Sequence, residues 1–147
     1  MLQDNFLEVY DKFKLEFFRR IFELVRERTG SLSAMEAFSI EIIHALNEPT
    51  IGRFAEFLNI SQSNATYKVN NLIKKGYLKK QNSDTDRREY HLVLSEKYYN
   101  YTDIMRSYVK TVLGRMEESF SKEEIELFSN MLMRISAEMM PEAGNFE

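Results

Sequence analysis

Cysteine is absent from the 147 residues. That excludes a disulfide scaffold, a thiolate zinc site and a thiol redox sensor. Histidine occurs only as His44 and His91, on separate predicted elements, so no metal site is expected. The same scarcity argues against an enzyme, as does the lack of a Gly-rich phosphate loop, an H-E-x-x-H pair or a nucleophile elbow. No apolar run approaches the ~18 residues of a membrane span. The opening MLQDNFLEVYDKF places acids where a signal peptide has a basic stretch followed by an unbroken apolar run. A cytoplasmic, non-enzymatic protein without cofactor or metal is expected. There is no repeat, low-complexity run or linker, and 44% hydrophobic content suffices for a core. The length favours one domain with extensions.

Acid is also scarce, but only in the middle. Residues 50–95 hold eight Lys/Arg against four Asp/Glu, a net +4, while the remainder holds twelve against nineteen, a net −7. The overall charge of −3 therefore hides a basic centre between acidic ends.

Apolar spacing and capping signals divide the chain into a mainly α protein with one β-hairpin. A first helix over 3–28 carries Phe6, Tyr10, Phe13, Phe17, Ile21 and Leu24, with Phe18, Phe22 and Val25 widening the stripe. Thr29-Gly30 ends it. So many aromatics ask for cover on more than one side, which points to a partner subunit. Ser33-Ala-Met-Glu36 is a capping box opening a helix to about Leu46, with Met35, Phe38, Ile42, Ile43 and Leu46 on its apolar face. Asn47-Glu-Pro49 stops it, because proline pushes the preceding residue out of the helical region. Thr50 caps TIGRFAEFLN, and Ser61 caps SQSNATYKVNNLIKKG, with a tight joint between. Tyr77–Gln81 and Tyr90–Leu94 read as strands around a polar tip. Ser95 caps a helix to about Phe120. Ser121-Lys-Glu-Glu124 opens a last helix to about Met140, with Phe128, Met131, Leu132, Ile135 and Met139 expected inside.

Two short helices with a tight joint are a helix-turn-helix, and the hairpin after them is a wing. The second helix begins Ser61, Gln62, Ser63, Asn64, Thr66, Tyr67, Lys68, and 61–76 contains no acid. Gln and Asn suit adenine edges, hydroxyls suit several bases, and lysine suits guanine or phosphate. A helix N-terminus also attracts phosphate. At the wing tip, Arg87 and Arg88 would reach a minor groove, where arginine meets concentrated negative potential. Asp86 is expected to organise the tip and aim Arg88, with Arg87 nearer phosphate. An exposed helix face and a surface salt bridge are the plain alternatives to each reading.

LSAMEAFSIEIIHAL, the pair TIGRFAEFLNISQSNATYKVNNLIKKGYL, the wing DTDRREYHLVLS and the closing FSKEEIELF together resemble the MarR family of bacterial transcription regulators. The D-x-R wing is the most specific part, here Asp86-Arg87-Arg88 and then Leu94-Ser95. Where the family commonly continues Glu-Lys-Gly, this chain has Glu96-Lys97-Tyr98. The resemblance implies a winged helix-turn-helix on a helical dimerisation domain: helices of 1–30 and 96–147 dimerise, and 31–95 is the DNA-binding lobe. It implies a homodimer on a pseudo-palindromic double-stranded DNA operator, a repressor, released by a small apolar or aromatic effector. Phe13, Phe17, Phe18, Tyr98 and Tyr101 would line the effector's cleft; helical core is the plainer role for such rings. A winged-helix protein-interaction module without DNA binding is the rival reading.

Overall fold

A computed structural model of the chain describes residues 1–26, 32–85 and 88–143, with the side chains at 24 and 100–105 outside the description. Helix α1 is Leu2–Arg26, α2 Ala34–Ala45, α3 Ile51–Leu58 and α4 Gln62–Lys74. Strands β1 (Leu78–Asn82) and β2 (Tyr90–Leu94) follow, then α5 (Glu96–Ser119), α6 (Lys122–Glu138) and a 3-10 turn at Pro141–Ala143. Two compact units result, Met1–Met105 and Arg106–Glu147, with α5 running through both. No helix among the described residues is long and apolar enough to cross a membrane.

The caps expected at Ser33, Thr50, Ser61 and Ser121 form, whereas the Ser95 hydroxyl, expected to cap α5, donates to the Gly76 carbonyl. Ser33 Oγ accepts from the Glu36 N–H at 3.2 Å, and Glu36 returns to the Ser33 N–H at 2.8 Å. Ser121 and Glu124 repeat the arrangement on α6. Thr50 Oγ1 accepts from the Arg53 N–H to start α3.

The first unit has a continuous core in which Ile43, Phe54, Ala65, Val69, Leu72 and Leu92 are fully buried. On α2 the buried face is broader than the expected one: Ile43 and Leu46 are buried as expected, and Phe38 and Ile42 pack against the core. Ala37 and Ile40 are buried too, while Met35 stays 64% exposed and Phe38 and Ile42 are half-buried. The cause is that α2 is covered from more than one direction. Phe38 meets Phe17 and Phe18 of α1, with ring centroids at 6.3 and 6.4 Å. A helix packed on two sides has no single apolar stripe to read.

The loop after α2 also departs from expectation. Asn47 and Glu48 both take positive φ, 53° and 52°, rather than the extended form that Pro49 favours at the residue before it. Contacts with β2 hold this loop in place. The His91 ring bonds the Glu48 carbonyl through Nδ1 at 2.8 Å, and the Leu92 N–H donates to the Pro49 carbonyl at 2.8 Å. Thr50 and His91 form an isolated antiparallel bridge. The two-stranded sheet is thus extended by one residue of the α2–α3 loop.

The hairpin register pairs Leu78 with Leu94, Lys80 with Leu92 and Asn82 with Tyr90. The first strand starts one residue later than expected. Tyr77 is held out of the ladder because its N–H closes the end of α4 on the Leu72 carbonyl at 3.0 Å.

In the second unit no described residue is fully buried. Phe128, Met131, Leu132 and Met139, expected inside, remain 42%, 45%, 44% and 59% exposed, and Ile135 is half-buried. Two helices alone cannot enclose so wide an apolar arc.

Candidate nucleic-acid interface

The joint between α3 and α4 is the three residues Asn59, Ile60 and Ser61. Asn59 adopts the left-handed conformation, φ 52° and ψ 49°, one that asparagine tolerates better than most residues. The Ile60 N–H returns to the Ala55 carbonyl at 3.0 Å. Ser61 then caps α4 by accepting from the Asn64 N–H at 3.2 Å. Ala65, Val69 and Leu72, spaced four and three apart, are fully buried and lock one side of α4 into the core.

That packing decides which side chains face outward. Gln62, Ser63, Asn64 and Tyr67 are exposed, Tyr67 by 67%. Among the described residues the polar ends of Gln62, Asn64 and Tyr67 have no side-chain hydrogen-bond partner. Two of the expected contact residues are instead engaged in the helix itself. The Ser61 hydroxyl caps it, and the Thr66 hydroxyl donates to the Gln62 carbonyl at 2.8 Å. Lys68 is half-buried. Asn70 and Lys74 extend the exposed face and were not singled out in the sequence. The run Ser63, Tyr67, Asn70, Lys74 continues the four-three helical spacing of the apolar stripe on the outward side and marks them.

Lys68 also belongs to the surroundings of Glu36. Burial penalises the Glu36 charge, but the bond from Lys75 Nζ at 2.6 Å, the Ser33 N–H and the charges of Lys75 and Lys68 outweigh it. The carboxyl is held below the ordinary glutamate range.

The wing tip is closed by the Ser83 N–H donating to the Glu89 carbonyl at 3.0 Å. Ser83 Oγ meets Thr85 Oγ1 at 2.9 Å and accepts from the Thr85 N–H at 3.3 Å. Asp86 and Arg87 lie outside the described residues, so the expected organising role of Asp86 does too; Ser83 organises the described part of the turn. Arg88 is exposed and lines a cleft with Gln62, Thr50, Gly52, Glu89 and Tyr90. The base of the wing and the start of α4 therefore share one groove, floored by the first turn of α3.

The aromatic side chains expected around an effector belong to two sets of ring contacts. Phe17 and Phe18 rest on Phe38. Tyr98 is 2% exposed, donates its hydroxyl to Glu41 at 3.1 Å and lies 5.6 Å from the His44 ring. Phe13 is half-buried, and the Tyr101 side chain is outside the description.

The sequence profile of the MarR family matches residues 32–90. This segment, two fifths of the chain, is similar to the MarR family. It runs from the start of the α2 capping box to the first residue of β2, and thus holds the helix-turn-helix and the wing tip. Structures of MarR-like architecture extend over the flanking helices as well. Streptococcus pneumoniae FabT, solved in complex with DNA, is 23% identical, with a TM-score of 0.58 over 92% of this chain and 95% of that one. A MarR family protein from Bacillus stearothermophilus is 17% identical, with a TM-score of 0.59 over 94% and 95%. A MarR-like transcriptional regulator from Thermotoga maritima is 26% identical, with a TM-score of 0.51 over 83% and 93%. These likenesses show a winged helix-turn-helix fold. No curated protein matches the chain by sequence.

Proposed function

We propose that this chain is a sequence-specific double-stranded DNA-binding transcription regulator, a non-enzymatic repressor acting as a homodimer on a pseudo-palindromic operator. The outward face of α4 carries the reading. It presents amides, a phenol and lysine, with no acid from Ser61 to Gly76, inside a chain that is otherwise net acidic. Such a face suits the floor of a major groove, where each base pair offers donors and acceptors complementary to these groups. Gln62 and Asn64 take adenine edges, and Lys68 takes guanine or phosphate. Ser61, Ser63 and Thr66 border the contact, and Tyr67 adds ring surface. On the wing, Arg88 enters the adjacent minor groove and Arg87 lies nearer phosphate, with Asp86 shaping the tip. The MarR-like fold of the DNA-bound FabT supports this docking.

The homodimer reading rests on apolar surface. Phe6 and Tyr10 of α1 are 58% and 49% exposed, and Phe128, Met131, Leu132 and Met139 of α6 are exposed as well. Exposed apolar stretches of this kind, one in each unit, mark association surfaces. In this reading 1–30 and 96–147 dimerise and 31–95 forms the DNA-binding lobe. A two-fold dimer would set its α4 pair about 34–36 Å apart, one turn of duplex. A small apolar or aromatic effector releases the DNA, and the protein works in the cytoplasm.

Selection of bound duplexes from random DNA, followed by gel shift with and without candidate metabolites, tests the reading. Enrichment of an inverted repeat is expected. Recovery of no preferred sequence would remove it.

A further inference from the structure

The C-terminal end of α4 is fastened to the first turn of α5. Gly76 turns the chain at φ 83°, a left-handed conformation that glycine adopts without strain. The turn leaves three carbonyls facing the β2–α5 junction, and all three are taken. Ser95 Oγ donates to the Gly76 carbonyl at 2.5 Å, and the Ser95 N–H donates to the Tyr77 carbonyl at 2.9 Å. The Lys97 ammonium donates to the Lys75 carbonyl at 2.8 Å and lies 4.5 Å from the centroid of the buried Tyr77 ring. Lys75 reaches the opposite way, to Glu36 on α2.

Lys97 is at an electrostatically unfavourable place in its own helix. It stands in the first turn of α5, where the helix dipole disfavours a cation. Its side chain crosses instead to the partly negative C-terminus of α4. A charge so placed gains nothing from α5 and is accounted for by the helix it reaches.

We propose that Lys97 is a positioning residue for the reading face of α4. The inference rests on the DNA-binding reading above. Helix α4 has 13 residues, with the candidate reading side chains at its N-terminal end and this fastening at its C-terminal end. Such a helix spans about 20 Å, so a tilt of about 5° at the fastening moves the far end by about 1.7 Å. That displacement exceeds the distance range within which a hydrogen bond to a base edge survives. Lys97 thereby sets the angle at which Gln62, Asn64 and Tyr67 meet the groove, without touching DNA itself.

Two variants of the intact protein test this. Lys97→Met keeps the aliphatic stem over Tyr77 and removes the donor; Lys97→Arg restores a donor and a cation. Affinities are measured for the selected duplex and for an unrelated duplex across a salt series, with thermal melts alongside. Lys97→Met is expected to lose about tenfold or more on the selected duplex and less than about twofold on the unrelated one. Its salt slope should be unchanged, and Lys97→Arg should recover most of the loss. Equal losses on both duplexes with a slope reduced by about one would make Lys97 a phosphate contact and overturn the proposal. An unchanged ratio of the two affinities, whatever the melt shows, would overturn it as well. If the parent itself prefers neither duplex, the DNA reading fails, and the parent measurement alone reveals that.

Discussion

Ser61 and Gln62 are neighbours with different work. Ser61 satisfies an N–H at the start of α4, so Ser61→Ala should cost about 1 kcal/mol of stability, a fall of about 2–4 °C in melting temperature. Gln62 is exposed at the mouth of the groove it shares with Arg88. Gln62→Ala should leave the melt unchanged and lose about 1–3 kcal/mol on the preferred duplex, with relaxed choice at one base pair. Isothermal titration beside thermal melts separates the two effects. Glu36 offers a test by pH. Its folded pKa lies below the ordinary value of 4.5, so its stabilising contribution is complete above that value and disappears as pH falls through the folded one. The stability gap between the parent and Glu36→Gln should therefore be constant near neutrality and close in acid below about pH 4.5. A gap that widened in acid would contradict the pairing with Lys75.

At the scale of elements, the helix-turn-helix is rigid where it is buried and free where it faces out. Phe54 of α3 is fully buried, and Phe54→Ala should cost about 3–5 kcal/mol in denaturant unfolding. Tyr67→Ala, on the exposed face, should cost far less. In the wing, replacing Arg87 and Arg88 together by alanine should weaken duplex binding and lower the salt slope by about two if both meet phosphate. The local devices among these elements were legible in the sequence because their partners are three or four residues apart. The caps at Ser33, Thr50, Ser61 and Ser121, and the Ala65–Val69–Leu72 stripe, needed no tertiary information. What escaped depends on residues far apart in the chain. The left-handed Asn47 and Glu48 are held by His91, more than forty residues onward. Tyr77 left its expected strand to close α4, and α2 buries Ala37 and Ile40 beside its expected residues while Met35 stays exposed. Of the candidate interface, Gln62, Ser63, Asn64 and Tyr67 were readable as outward polar residues, whereas Asn70 and Lys74 required extending the outward spacing for two more turns. The bond from the Thr66 hydroxyl back to the Gln62 carbonyl required the geometry.

At the scale of the whole molecule, each unit leaves apolar side chains uncovered. The stripe of α6 and the first half of α1 together expose phenylalanine, leucine and methionine that water does not favour. If the proposed homodimer forms through α6, Phe128→Asp should shift its sedimentation toward monomer and weaken duplex binding with it, since one lobe makes few phosphate contacts. A variant that stayed dimeric would place the interface elsewhere. The basic centre of net +4 against surroundings of net −7 leads to the central claim, that a polyanion is the partner. The most direct measurement is the affinity of the intact protein for a selected duplex between about 50 and 200 mM salt. With about six to ten phosphate contacts per dimer the affinity should fall by about 10³–10⁵, linearly in the logarithms. An affinity indifferent to salt would contradict the account.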